Sequence, residues 1–164
     1  MIIQGSRLAS ASQGRFPFKL SENIRSIDYR GERIAFTGPV VVTGSIEQNG
    51  SLYLVTGDVQ AEVVLECSRC LGKVRYPVRT SFIQEYREGG GEECRLAADR
   101  DRIDLYRPVV ESILLELPIK VVCREECKGL CPVCGSNRNI NECGCSRDEI
   151  DPRMLALKEL LKEK

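Results

Sequence analysis

Nine cysteines and no histidine set the chemistry open to this 164-residue chain. Six of the nine fall between Cys123 and Cys145, in the stretch CREECKGLCPVCGSNRNINECGC. Thiolates are soft ligands, and four of them satisfy a tetrahedral Zn²⁺ at about 2.3 Å per bond. The turn Cys131-Pro132-Val133-Cys134 places two sulfurs on one metal, and Gly135 just after it is free to take a positive φ. Cys143-Gly144-Cys145 follows after eight residues, enough chain to loop round and close a four-sulfur site. The first expected site is therefore Cys131, Cys134, Cys143 and Cys145.

Cys67 and Cys70 form a separate C-x-x-C pair. With Cys123 and Cys127 they make a second set of four, which would tie a hairpin to the cysteine segment. A different grouping stays open, in which Cys127 joins Cys131 and Cys134 and Cys123 is unused. Both sets lack an open position for water, so the chemistry they offer is structural. Zinc, as one or two ions, is the expected cofactor, with an iron–sulfur cluster as the alternative filling of four thiolates. A thiol oxidoreductase using Cys67 and Cys70 would need a helix N-terminus in a thioredoxin-like setting, and the pair sits instead between two strand patterns. Cys94, in an acidic stretch with no partner, reads as a free thiol.

The rest of the composition narrows the function. Lys plus Arg and Asp plus Glu number 24 each, so there is no global field to attract nucleic acid or a membrane. Histidine-dependent triads are excluded, and no P-loop or G-x-G-x-x-G is present, so neither an enzyme nor a small-molecule substrate is expected. The sequence shows no apolar run of signal-peptide or transmembrane length, which predicts a cytoplasmic protein with reduced thiols. One local basic row stands out: Lys73, Arg75 and Arg79 share a strand face, and Arg69 lies between the hairpin cysteines. These four are candidate RNA contacts, because Lys and Arg neutralise phosphates. The plainer reading is the solvated side of an amphipathic strand, and no aromatic interleaves the row for base stacking.

The elements that must hold these residues are mostly strands. Phe16 and Phe18 alternate with Arg15, Pro17 and Lys19, which predicts a short strand. Gln48-Asn49-Gly50 between β-rich runs predicts a hairpin. Val59–Leu65 continues as strand into Cys67, and Lys73–Tyr86 alternates with period two. Leu20–Arg33 reads as a polar stretch turning at Gly31. Asp104 is placed to cap a helix over about 105–117, with Val109, Val110, Ile113, Leu114 and Leu117 as its apolar stripe and Pro118 as its stop. Asp151-Pro152 predicts a terminal helix over about 152–162. The expected fold is α+β. An antiparallel β meander or partly closed barrel (about 15–86) carries a packed helix, a C-terminal four-cysteine zinc loop and the terminal helix. As domains, this divides into a β-rich core over 1–122 and a cysteine segment over 123–164 packed on it.

These residues together resemble the YceD family, the large ribosomal RNA subunit accumulation proteins. The resemblance rests on ECSRCL at Glu66–Leu71, LELP at Leu115–Pro118, CKGLCPVCGSNRN at Cys127–Asn139, and CGC then DPRMLALKEL at Cys143–Leu160. It covers about the last hundred residues. It implies a non-enzymatic ribosome biogenesis factor supporting accumulation or processing of large-subunit (23S) ribosomal RNA. Ribosomal RNA, a pre-50S particle, or ribosomal and assembly proteins would be the partners. It also implies that the two cysteine sets are separable, since some branches keep only the hairpin pair. The alternative class is a zinc-stapled protein-interaction module that never touches RNA.

Overall fold

A computed structural model describes residues 1–4, 15–29, 31–88, 97–98 and 102–145. Cys94 and the terminal helix expected over 152–162 lie outside the described residues. Among the described residues, nine strands precede one helix. They are β1 (Ile2–Gln4), β2 (Arg15–Glu22), β3 (Ser26–Tyr29), β4 (Glu32–Phe36), β5 (Val40–Asn49), β6 (Leu52–Glu66), β7 (Lys73–Glu88), β8 (Ala97–Ala98) and β9 (Arg102–Asp104). The helix, α1, spans Tyr106–Glu116.

Two compact units share these elements. One is Met1–Leu65 with Lys73–Val121, and the other is Glu66–Gly72 with Val122–Lys164. The first unit is built on a seven-stranded sheet ordered β2-β5-β6-β4-β3, with β7 pairing β6 and then β8. β7 and β8 run parallel, over Arg87↔Ala97 and Glu88↔Ala98. The hairpin at Asn49 and Gly50 forms as its turn chemistry predicts: Asn49 faces Leu52, and Gly50 takes φ 61°.

Two expectations need correction. The chain is not a simple meander, and Leu20–Arg33 is not merely polar connection. Ser26–Tyr29 and Glu32–Phe36 form a hairpin of their own, with Ile27 and Ile34 facing each other and both buried. That hairpin joins β6 through Ala35↔Val64 and Phe36↔Val63, not β5. The cause is length. β6 has 15 residues, and β5 pairs only with Leu52–Gln60, which leaves the backbone groups beyond Gln60 in need of a partner. Nor does the sheet close. No pairing among the described residues joins its ends, so the partly closed barrel is replaced by an open α+β sheet.

The core comes from period-two burial. Val40, Val42 and Ile46 of β5, Val55, Val59 and Val63 of β6, and Val78, Phe82 and Tyr86 of β7 are all buried. Val109 and Ile113 of α1 join the same cluster, each fully buried. Side chains of this size stabilise by about 1.5–3 kcal/mol each when removed from water. Asp104 stands one position earlier than a cap should, because Leu105 is the N-cap. Its carboxylate still accepts the Tyr106 amide at 2.9 Å. Leu117 turns extended at ψ 132° just before Pro118, which ends the helix.

The long strands β6 and β7 leave the short turn 67–72 between them, and this turn carries Cys67 and Cys70 into the second compact unit.

Candidate metal centre

Two backbone turns in the second unit are built alike. After Cys67, Leu71 N donates to Cys67 O at 2.9 Å, and Cys67 N donates to Gly72 O at 2.8 Å. After Cys131, Gly135 N donates to Cys131 O at 2.8 Å, and Cys131 N donates to Ser136 O at 2.8 Å. In both, the fourth residue past the first cysteine has positive φ, 58° at Leu71 and 72° at Gly135. Gly135 takes that conformation freely; Leu71 takes it against a steric cost of about 1–2 kcal/mol. Each turn aims two sulfurs the same way from a C-x-x-C.

The sulfurs then meet those of two further pairs. Cys67, Cys70, Cys123 and Cys127 form one group, and Cys131, Cys134, Cys143 and Cys145 another. Within each, all four sulfurs lie within 4.8 Å of one another. In the first group Cys67 Sγ is 3.9 Å from Cys127 Sγ, and Cys70 Sγ is 3.7 Å from Cys123 Sγ. Four sulfurs at about 2.3 Å from one ion stand about 3.8 Å apart, the edge of that tetrahedron. A disulfide needs about 2.05 Å, and the eight cysteines are free thiols. The geometry of the first group thus fits a four-thiolate ion.

The other grouping left open by the sequence, with Cys127 beside Cys131 and Cys134, is not the one the fold makes. Arg69 contributes to the difference. Its Nη1 donates to the carbonyls of Glu125 and Cys127 at 3.0 and 3.1 Å, and its own carbonyl accepts Leu130 N at 3.0 Å. Gly129 lets this approach happen: at φ 71° it carries no Cβ, which would sit 2.9 Å from Arg69 O. Cys123 and Cys127 are thereby held against the hairpin turn.

The electrostatics within each group are divided. A hydrogen bond from the Arg69 amide is the chief cause that lowers Cys67 to about 6. Cys123, crowded first by Cys127 and then by burial, is pushed up to about 12. The second group repeats the pattern. The Ser136 hydroxyl, 3.1 Å away, and then its amide lower Cys134 to about 6. Cys134 and then burial push Cys145 up to about 12. In each group one thiol is lowered while another is raised by its neighbouring cysteine. A divalent cation removes that conflict, since coordination deprotonates a thiol outright.

The basic candidates are spread over both units. Arg69 belongs to the cysteine unit and spends its guanidinium on the two carbonyls. Lys73, Arg75 and Arg79 are exposed at alternate positions of β7 in the sheet unit. Arg75 Nε lies 3.9 Å from Glu62 Oε1, and Arg75 and Arg79 border a shallow groove with Gln60 and Glu62. The row therefore has acidic and neutral polar neighbours. Asn139 and Ser136, which touch the clustered sulfurs of Cys127 and Cys134, are not among the sequence candidates. Nothing in single-residue chemistry marks them; only their place between Cys134 and Cys143 does.

No helix among the described residues is long and apolar enough to cross a membrane. Several known proteins are similar to this chain. An uncharacterized protein of Mycobacterium tuberculosis is 39% identical over 115 residues, covering 66% of this chain and 55% of that protein. The Bacillus subtilis protein YlbN is 30% identical over 150 residues, covering 88% of this chain and 81% of YlbN. A chloroplastic Arabidopsis thaliana protein named large ribosomal RNA subunit accumulation protein YCED homolog 1 is 39% identical over 49 residues. That match covers 30% of this chain and 15% of the plant protein. The chain thus spans about half the length of the mycobacterial relative. No solved structure matches it. The model of the large ribosomal RNA subunit accumulation protein YceD matches residues 55–161, which include all eight clustered cysteines, and the chain belongs to that family.

Proposed function

We propose that this chain is a non-enzymatic factor supporting accumulation of large-subunit (23S) ribosomal RNA, acting through contact with that RNA or a pre-ribosomal particle. The observation that carries the reading is the pair of four-sulfur groups within a chain of this family. Cys67, Cys70, Cys123 and Cys127 would hold one zinc ion, and Cys131, Cys134, Cys143 and Cys145 a second. With four protein sulfurs apiece, each ion would act as a fixed cross-link in place of a large core, contributing directly to folding. Lys73, Arg75 and Arg79 offer exposed cations for phosphate, and the names of the plant relatives point to the same process.

A protein-interaction module without RNA contact is the second reading. It is favoured by Arg69, whose guanidinium is already engaged, and by Glu62 beside Arg75.

Binding of the purified chain to 23S ribosomal RNA fragments across salt, with zinc per chain counted on the same sample, separates the two. The first reading expects two zinc ions and saturable binding that weakens with salt. Changing Lys73, Arg75 and Arg79 to Glu should weaken it further and reduce the salt slope by up to about 3. Absence of saturable binding to either the RNA or large-subunit precursor particles would overturn it.

A further inference from the structure

Asn139 lies in the loop between Cys134 and Cys143, yet its side chain reaches a sulfur of the other group. Nδ2 donates to Cys127 Sγ at 3.4 Å and to Asn137 Oδ1 at 2.8 Å. Oδ1 accepts from the Lys128 backbone amide at 2.9 Å and from Arg124 Nη2 at 2.8 Å. A backbone N–H is only a donor, so the oxygen of the carboxamide must face Lys128. The nitrogen is then the atom left for Cys127, and the donor direction to the sulfur is settled.

The loop that presents Asn139 is itself tightly held. Asn137 Oδ1 accepts the Asn139 amide at 3.0 Å, and Arg138 N donates to Gly129 O at 3.0 Å. Leu130 and Asn137 pair as a short antiparallel bridge, and Asn141 N donates to Asn137 O at 3.0 Å. Cys134 and Cys143 bound the segment, so a metal bound between them fixes both of its ends.

We infer that Asn139 couples the two metal sites: an ion in the Cys131–Cys145 site pins both ends of the Asn139 loop, and the N–H···S bond from that loop tightens metal binding by Cys67, Cys70, Cys123 and Cys127. The inference rests on the two-zinc reading above. An N–H donor withdraws charge from a ligand sulfur and fixes its direction, and outer partners of this kind are worth about 10–100-fold in metal affinity. The coupling is reciprocal, so the first site must equally favour the second. Asn139 is a positioning residue, since it acts on the metal only through Cys127.

The test uses the full chain loaded with zinc. A chelator of known affinity strips the metal, while mass-resolved alkylation reports Cys67 and Cys70 separately from Cys131 and Cys134. In the native chain the two sites should empty together. Asn139→Ala removes the donor to Cys127 without placing a new charge beside the sulfur. It should weaken the first site by about tenfold or more while the second site keeps its zinc through the early part of the titration. Cys143→Ser, which opens the second site, should weaken the first to a similar degree. Combining the two should be no worse at the first site than Cys143→Ser alone, because both remove the same bond. Independent emptying of the two sites in the native chain, or effects of the two substitutions that multiply, would overturn the coupling and leave the zinc reading standing. Fewer than two zinc ions per native chain would overturn both. The native-chain arm decides the matter even where a variant fails to fold.

Discussion

Arg69 and Cys127 stand 58 positions apart, and Arg69 Nη1 donates to the Cys127 carbonyl oxygen at 3.1 Å. The same nitrogen also reaches the Glu125 carbonyl. One side chain from the hairpin turn therefore holds the loop that brings Cys123 and Cys127 to Cys67 and Cys70.

From this bond it follows that Arg69→Ala should loosen the first cysteine group. Hydrogen bonds to a charged donor contribute about 1.5–3 kcal/mol, and the exposure of Arg69 reduces this to about 1–2 kcal/mol. The melting temperature of the metal-loaded chain should fall accordingly, and alkylation of Cys67 and Cys127 should quicken. Arg69→Lys should recover only part of the loss, because an ammonium cannot reproduce the fixed planar fork. An unchanged melting curve for Arg69→Ala would show that the cysteine turns hold each other without it.

Leu71 gives a prediction of the opposite sign. It sits at φ 58°, where its counterpart in the second turn is Gly135, and its side chain is 60% exposed. Leu71→Gly relieves the steric cost while giving up little buried surface. The metal-loaded chain should gain up to about 1 kcal/mol in chemical denaturation, because the greater freedom of glycine in the unfolded chain offsets part of the relief. A loss of stability instead would mean that the Leu71 side chain makes a contact worth more than its strain.

Tyr86 gives a prediction for alkaline conditions. It is almost fully buried in the sheet unit, and its hydroxyl donates to the Asp104 carbonyl at 2.8 Å. Burial first, and the Asp104 charge second, hold its phenol above the ordinary value of about 10. The folded chain thus keeps a proton that the unfolded chain gives up. The stabilisation is fully present below about pH 10 and is lost as pH rises above it, by at most about 1.4 kcal/mol per pH unit. Tyr86→Phe should cost about 1 kcal/mol at neutral pH and flatten the alkaline loss. Parallel alkaline unfolding curves for the two chains would sink this assignment.

Sequence alone determined what depends on a few neighbouring residues. The Asn49-Gly50 hairpin, the apolar stripe of α1 and the Cys131–Gly135 turn could be read directly. Each rests on periodicity or on bonds spanning four or five positions, which act wherever the chain happens to lie. Local reading also put Asp104 at the start of α1, though one position out, because the chain enters the helix through Leu105. Counting left Cys67, Cys70, Cys123 and Cys127 as a set of four but could not close the other grouping. The tertiary structure decided that matter, along with the sheet order, the open edge and the contacts of Arg69 and Asn139. The physical reason is common to all of them. Which backbone edge stays unpaired, and which loop comes within hydrogen-bond reach of a distant turn, depends on how far each strand runs before its partner ends. β6 outlasts β5 by several residues, and that excess gives β4 its partner. Beyond the end of β6, the turn that carries Cys67 and Cys70 meets Cys123 and Cys127 through contacts spanning more than fifty positions. No local pattern encodes such a meeting.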